Sequence, residues 1–97
     1  MTIILQATWV ANPGSEQLVR DALANLAPLS RQEPGNRGYT VYHSASEPSV
    51  FRIFEIYENQ DAVTAHAESE HFRIWGLQTA IPELAERRRE FFEMLDI

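Results

Sequence analysis

A chain of 97 residues, 44% hydrophobic and 23% charged, is long enough for one packed domain and too short for two ordinary cores. It has no cysteine and its eight basic residues are all arginine, which excludes thiolate and disulfide chemistry, cysteine-based zinc or iron–sulfur sites, lysine Schiff bases and a P-loop lysine. Fourteen acidic residues set the net charge at −6, so nucleic acid is not an expected partner.

From the N-terminus, Thr2 to Val10 has no basic leader region and is interrupted by Gln6 and Thr8. It reads as neither a signal peptide nor a membrane span, and a cytoplasmic location without membrane association is expected. Ile3, Leu5, Ala7 and Trp9 alternate with Ile4, Gln6, Thr8 and Val10, which predicts a first strand. Asn12-Pro13-Gly14-Ser15 then supplies a turn and a helix start, and Leu18, Val19, Ala22, Leu23 and Leu26 follow at helical spacing. Pro28 is expected to kink or end that helix, and Glu33-Pro34-Gly35-Asn36 to break the chain.

Tyr39 to Ser44 and Phe51 to Tyr57 read as a hairpin joined by the polar segment Ala45 to Ser49. Asn59 or Asp61 can cap a helix carrying Ala62, Val63, Ala65 and His66, and Ser69 a second one over Glu70 to Ala80. After Pro82 a helical turn is expected to Arg87, then a last strand from Glu90 to Leu95. The order strand, helix, strand, strand, helix pair, strand predicts an α+β, ferredoxin-like split βαβ subunit with an antiparallel sheet, one domain over residues 2–95.

The strands are apolar on both sides. Phe51, Ile53 and Tyr57 point one way and Val50, Phe54 and Ile56 the other, while Phe91 and Leu95 oppose Phe92 and Met94. The helices of so small a chain cover one face only, so a homodimer with sheets packed face to face is expected.

The stretch from Glu33 to Trp75 resembles the antibiotic biosynthesis monooxygenase domain family. The residues that carry the likeness are Glu33-Pro34-Gly35, Phe51 to Glu55, and the run Ala65-His66-Ala67-Glu68-Ser69-Glu70-His71-Phe72. The resemblance implies a dimeric α/β barrel of two ferredoxin-like subunits. It also implies one of several activities: cofactor-independent oxidation of phenols or quinols by molecular oxygen, haem degradation, or isomerisation of a small phosphorylated signal. The haem-degrading members carry an Asn in strand one and a His four residues beyond the Phe of Ser-x-x-Phe. Ala7 and Gly76 stand at those places here, which argues against that branch.

Within that frame His66 is the first candidate base, because an ordinary imidazole titrates near pH ~6.5. A purely structural role, bonding a carboxylate or the Ser69 region, is equally open. Glu55 shares its strand face with Ile53 and Tyr57, where a carboxylate needs a partner. Pairing with His66 would make it a catalytic group; an intersubunit ion pair or a place at the barrel rim is the role its context favours. Trp9, Tyr57, Phe72 and Trp75, with His71 beside them, are candidates to hold a flat aromatic substrate.

His66 and His71 are five apart, which on one continuous helix separates them by about 140° and argues against a metal pair. His43 reads as a rim residue. Arg87-Arg88-Arg89 is expected to pair with Glu83, Glu86 or Glu90 near a helix C-terminus, with an anionic substrate group as an alternative that the spacing does not support. The leading functional expectation is a monooxygenase acting on an electron-rich phenol or quinol with O2, needing neither cofactor nor metal. An isomerase or tautomerase of the same fold, and a non-catalytic dimeric module for an aromatic metabolite, are the alternatives.

Overall fold

The computed structural model describes residues 1–97. Strand β1 (Ile3–Ala11) leads to helix α1 (Glu16–Arg31), the hairpin β2 (Asn36–His43) and β3 (Val50–Tyr57), helix α2 (Gln60–Ala67) and helix α3 (Phe72–Ala80). A single 3₁₀ turn, Ile81–Glu83, then delivers strand β4 (Leu84–Glu93). The sheet order is β2-β3-β1-β4 with every neighbouring pair antiparallel, so β3 and β1 each split a βαβ unit, as the element order predicts.

Residues Val19, Ala22, Leu23, Leu26 and Ala27 of α1 are all buried, at the i, i+3, i+4, i+7, i+8 spacing that gives a helix one apolar stripe. They pack on Ala7, Trp9, Tyr39, Phe51 and Ile53 of the sheet. Full burial of one such side chain as Leu26 contributes roughly 2 kcal/mol. Pro28 does not end α1, which continues to Arg31. Both Pro28 and Ala24, whose carbonyl would have received the missing N–H, are exposed, so water satisfies what proline removes.

Asn59 caps α2 by accepting from the Ala62 N–H at 2.9 Å. The chain then breaks at Glu68 and Ser69. Ser69 Oγ donates to the His66 carbonyl at 2.7 Å and accepts from the Phe72 N–H at 3.2 Å, stitching the end of α2 to the start of α3. Helix α3 is π-helical throughout, and the wider turn lets the Phe72 ring fold over Gly76. A Cβ at Gly76 would lie 2.9 Å from Phe72 Cε1.

The last strand differs from expectation: β4 begins at Leu84, not Glu90, and no helical turn reaches Arg87. The reason lies in pairing, since Leu84 to Glu93 completes the free edge of β1 over almost its whole length. Arg87, Arg89 and Phe91 stand opposite Trp9, Ala7 and Leu5 on the helix side of the sheet. Arg88, Glu90 and Phe92 lie on the other side, with Ile4, Phe54 and Ile56. That outer face has no helix over it, and Phe92 is 44% exposed. No helix of the chain is long and apolar enough to cross a membrane.

Candidate functional site

Three chain breaks bring the titratable groups together. Glu33 sits in the turn between α1 and β2, His66 in the last turn of α2, and His71 just past the Ser69 break. The break re-aims the chain between the two histidines, so the angle a continuous helix would impose does not hold. Both imidazoles converge on one carboxylate oxygen: His66 Nδ1 lies 2.8 Å and His71 Nε2 2.5 Å from Glu33 Oε2. With Nδ1–H donated to Glu33, the basic nitrogen of His66 is Nε2, which faces Glu55 Oε1 at 3.8 Å.

Glu55 is 3% exposed and lies on the helix side of β3, where it lines a cleft with His66. It is not a rim residue. Tyr57 donates to its Oε1 at 2.6 Å. Burial nevertheless pushes the carboxyl up to about 7, against the opposing pull of the Tyr57 hydroxyl, the His66 imidazole and Arg89. The phenols of Tyr39 and Tyr57 are also held well above their ordinary range, chiefly by burial and then by the Glu55 carboxylate, so neither ionises near neutral pH. The rings of Tyr39, Tyr57 and Phe72 surround the His66 imidazole at centroid distances of 5.8, 5.5 and 5.2 Å.

The cleft beside this cluster measures about 40 Å³ and is floored by Leu5, Ala7 and Trp9 under Val63 and Phe72. Of the residues expected to hold substrate, Trp9 and Phe72 line it. Tyr57 stands behind Glu55, His71 behind Glu33, and Trp75 packs partly buried against the core. A larger hollow of about 350 Å³ lies between α1 and β2 around Leu23, Val41, His43 and Phe51. His43 has no carboxylate against it there, so the acid–base pairing belongs to the smaller cleft.

Glu33 and the arginine pair are the site residues that sequence reasoning missed. Glu33 reads locally as part of a turn. Arg87 and Arg89 line the cleft from β4 and form none of the expected ion pairs; only Arg88 pairs, with Glu86 at 2.7 Å. The alternation of Arg87, Arg89, Phe91 against Arg88, Glu90, Phe92 is the signal that would have placed them. The ligand atoms of Glu33, His66 and His71 lie within 4.8 Å of one another, so these three are also the residues that would hold a metal ion.

Fold and site together define a ferredoxin-like α+β domain with a buried carboxylate–imidazole cluster beneath aromatic rings. Residues 2–75 match the family model described as Antibiotic biosynthesis monooxygenase, and the chain belongs to that family. A Bacillus subtilis (strain 168) protein described as "Putative monooxygenase YcnE" is 28% identical over 71 residues, 73% of this chain and 75% of the relative. Rv0793 from Mycobacterium tuberculosis superposes with a TM-score of 0.91 at 23% identity, covering 100% of this chain and 98% of that one. A Bacteroides thetaiotaomicron VPI-5482 protein, titled a conserved protein of unknown function and possible oxidoreductase, gives a TM-score of 0.86 at 29% identity, covering 96% and 97%. These relatives support a general monooxygenase-family function. Arg87 and Arg89 lie beyond the matched residues.

Proposed function

We propose that the protein is a cofactor-independent monooxygenase that oxidises an electron-rich phenol or quinol with O2. The observation that carries this reading is the His66 imidazole, 5% exposed, with Nδ1 tied to Glu33 and Nε2 on the side of Glu55, in a cleft that both residues line together with Trp9, Tyr39 and Phe72. In this mechanism Nε2 takes the phenolic proton while Glu33 holds the ring in one tautomer. The phenolate passes one electron to O2, and the arene radical and superoxide combine at a ring carbon. The peroxide anion recovers the proton from His66, and loss of water leaves a quinone.

One phenol and one O2 therefore give one quinone and one water, with no outside reductant, because the substrate supplies the electrons a cofactor usually carries. Glu55, whose carboxyl titrates near neutrality, positions and exchanges protons with Nε2 as a second acid. Apolar walls limit water's access to the intermediate. A ring system needs more room than about 40 Å³, so this reading requires the cleft to widen on binding.

Two copies are proposed to pair through the outer face of the sheet, where Ile4, Phe54, Ile56 and Phe92 form an apolar surface. The activity is tested by oxygen uptake with a panel of hydroquinones and naphthols, for wild type and His66→Ala. Uptake above buffer that falls at least about a hundredfold in the variant is expected. No uptake, or a rate that survives the substitution, overturns the mechanism, and equal turnover without oxygen assigns the site to an isomerase.

A further inference from the structure

The helix-side wall contributed by β4 is chemically unlike the rest of the cleft. Arg87 and Arg89 are two apart on one strand, so their side chains leave the same face about 7 Å from each other. Neither guanidinium has a carboxylate within ion-pair distance. Arg89 lies over the Phe91 ring at 5.8 Å, which steadies it without neutralising it. Arg87 stands opposite Trp9 in the sheet register.

Trp9 supplies an independent observation. It is 2% exposed and lines the same cleft, yet its indole N–H has no acceptor in the chain. Buried donors are ordinarily satisfied, and leaving one unpaired costs about 1–3 kcal/mol. The cleft is thus lined by one buried donor without an acceptor and by two solvent-exposed guanidinium groups without a carboxylate partner. The acidic group that lines the cleft with them is Glu55, already engaged by Tyr57, and the imidazole of His66 and the phenol of Tyr39 complete the titratable groups there.

We propose that Arg87 and Arg89, with the Trp9 indole N–H, form a subsite for a carboxylate attached to the aromatic substrate, making the substrate a hydroxyarene carboxylate. This rests on the reading of the cleft as a phenol site and narrows it. Arginine suits the role because its planar fork matches a carboxylate's two oxygens. The protein's charge of −6 makes this pair a local positive spot on an acidic surface, which selects the orientation in which an anionic ring enters. With the carboxylate on β4, the ring lies over Ala7 and Trp9 and its hydroxyl points at His66. Partial burial and the like charge of Arg89 hold the Arg87 guanidinium below its usual range, a penalty that a bound anion relieves.

The test compares two probes that differ by one carboxylate, 2-naphthol and 6-hydroxy-2-naphthoate, whose hydroxyl and carboxylate lie at opposite ends of the ring system, by isothermal titration calorimetry on wild type and on Arg87→Gln, Arg89→Gln and the double variant. The naphthoate is expected to bind at least about tenfold more tightly than naphthol to wild type. That ratio should fall to about one in the double variant. Raising salt from about 20 to about 300 mM should weaken the naphthoate alone. Melting curves confirm that each variant is folded. If naphthol binds and the naphthoate binds no better, or if the preference survives both substitutions, the carboxylate subsite is wrong while the phenol site stands. If neither probe binds, both readings fall.

Discussion

Replacing Glu55 by Gln is expected to make the protein more stable above neutral pH, by an amount that the burial of the carboxyl sets. The group titrates near about 7 in the folded protein against 4.5 for an ordinary glutamate. The native state therefore keeps a proton that the unfolded chain has already released. The contribution of this group to stability is fullest below about pH 4.5, declines as pH rises toward about 7, and is level beyond it. At about 1.4 kcal/mol per pH unit that interval amounts to about 3 kcal/mol, a large part of the 5–15 kcal/mol typical of a domain. Glutamine keeps an oxygen to accept the Tyr57 hydroxyl and carries no charge to desolvate. Urea unfolding of both proteins at one concentration, from about pH 5 to about pH 8, reads the difference directly. The variant should gain about 3 kcal/mol on wild type across that range, equivalent to about 1–3 M in midpoint. A difference that stays constant with pH would show that Glu55 is ionised in the folded state and would remove the second acid from the mechanism.

Gly35→Ala should destabilise more than Gly76→Ala. A Cβ at Gly35 would lie at a prohibitive 2.4 Å from Ala62 Cβ with the Ala62 Cα close behind, so α2 itself must shift; at Gly76 the obstacle is the Phe72 ring at 2.9 Å. Losses of about 3 kcal/mol and about 1 kcal/mol respectively are expected in chemical denaturation, and the reverse order would contradict the packing described. Phe54→Glu on the outer sheet face should shift the proposed dimer to monomer in light scattering at micromolar concentration, because it places charge in the centre of the pairing surface. A wild-type protein that already runs as a monomer would refute the pairing.

How far the sequence was readable tracks how local each signal is. The alternation of β1, the stripe of α1 and the Asn59 cap depend on neighbours a few residues apart, and they stand where periodicity puts them. Strand β4 was readable only in its apolar end. From Glu86 to Glu90 every side chain is charged, Arg87 and Arg89 on one face and Glu86, Arg88 and Glu90 on the other, so the apolar–polar contrast that normally reveals a strand is missing although the backbone is extended. Glu33 was invisible as a site residue for a different reason. Its partners His66 and His71 lie 33 and 38 positions away, and only the return of the chain through β2, β3 and α2 brings them to it. The spacing of the two histidines fixed an angle only for one continuous helix, and the Glu68–Ser69 break, legible as a fresh cap, cancels that angle.

The two carboxylates on either side of His66 divide the work because their surroundings differ. Glu33 Oε2 receives both imidazoles, which gives an anion two donors and fixes His66 by its Nδ1. Glu55 has one phenolic donor, an apolar setting and no hydrogen bond to the imidazole, whose Nε2 stands off at 3.8 Å. One carboxylate is thereby suited to orienting the ring, the other to carrying a proton near neutral pH. Paired acids with unequal environments are the usual way a site separates its base from its acid. Exchanging them is not possible by substitution at either position alone, because the donors to Glu33 come from α2 and from the turn that opens α3, and the donor to Glu55 from its own strand. In a chain without lysine or cysteine, this asymmetry around a single buried imidazole is the chemistry the fold is arranged to hold.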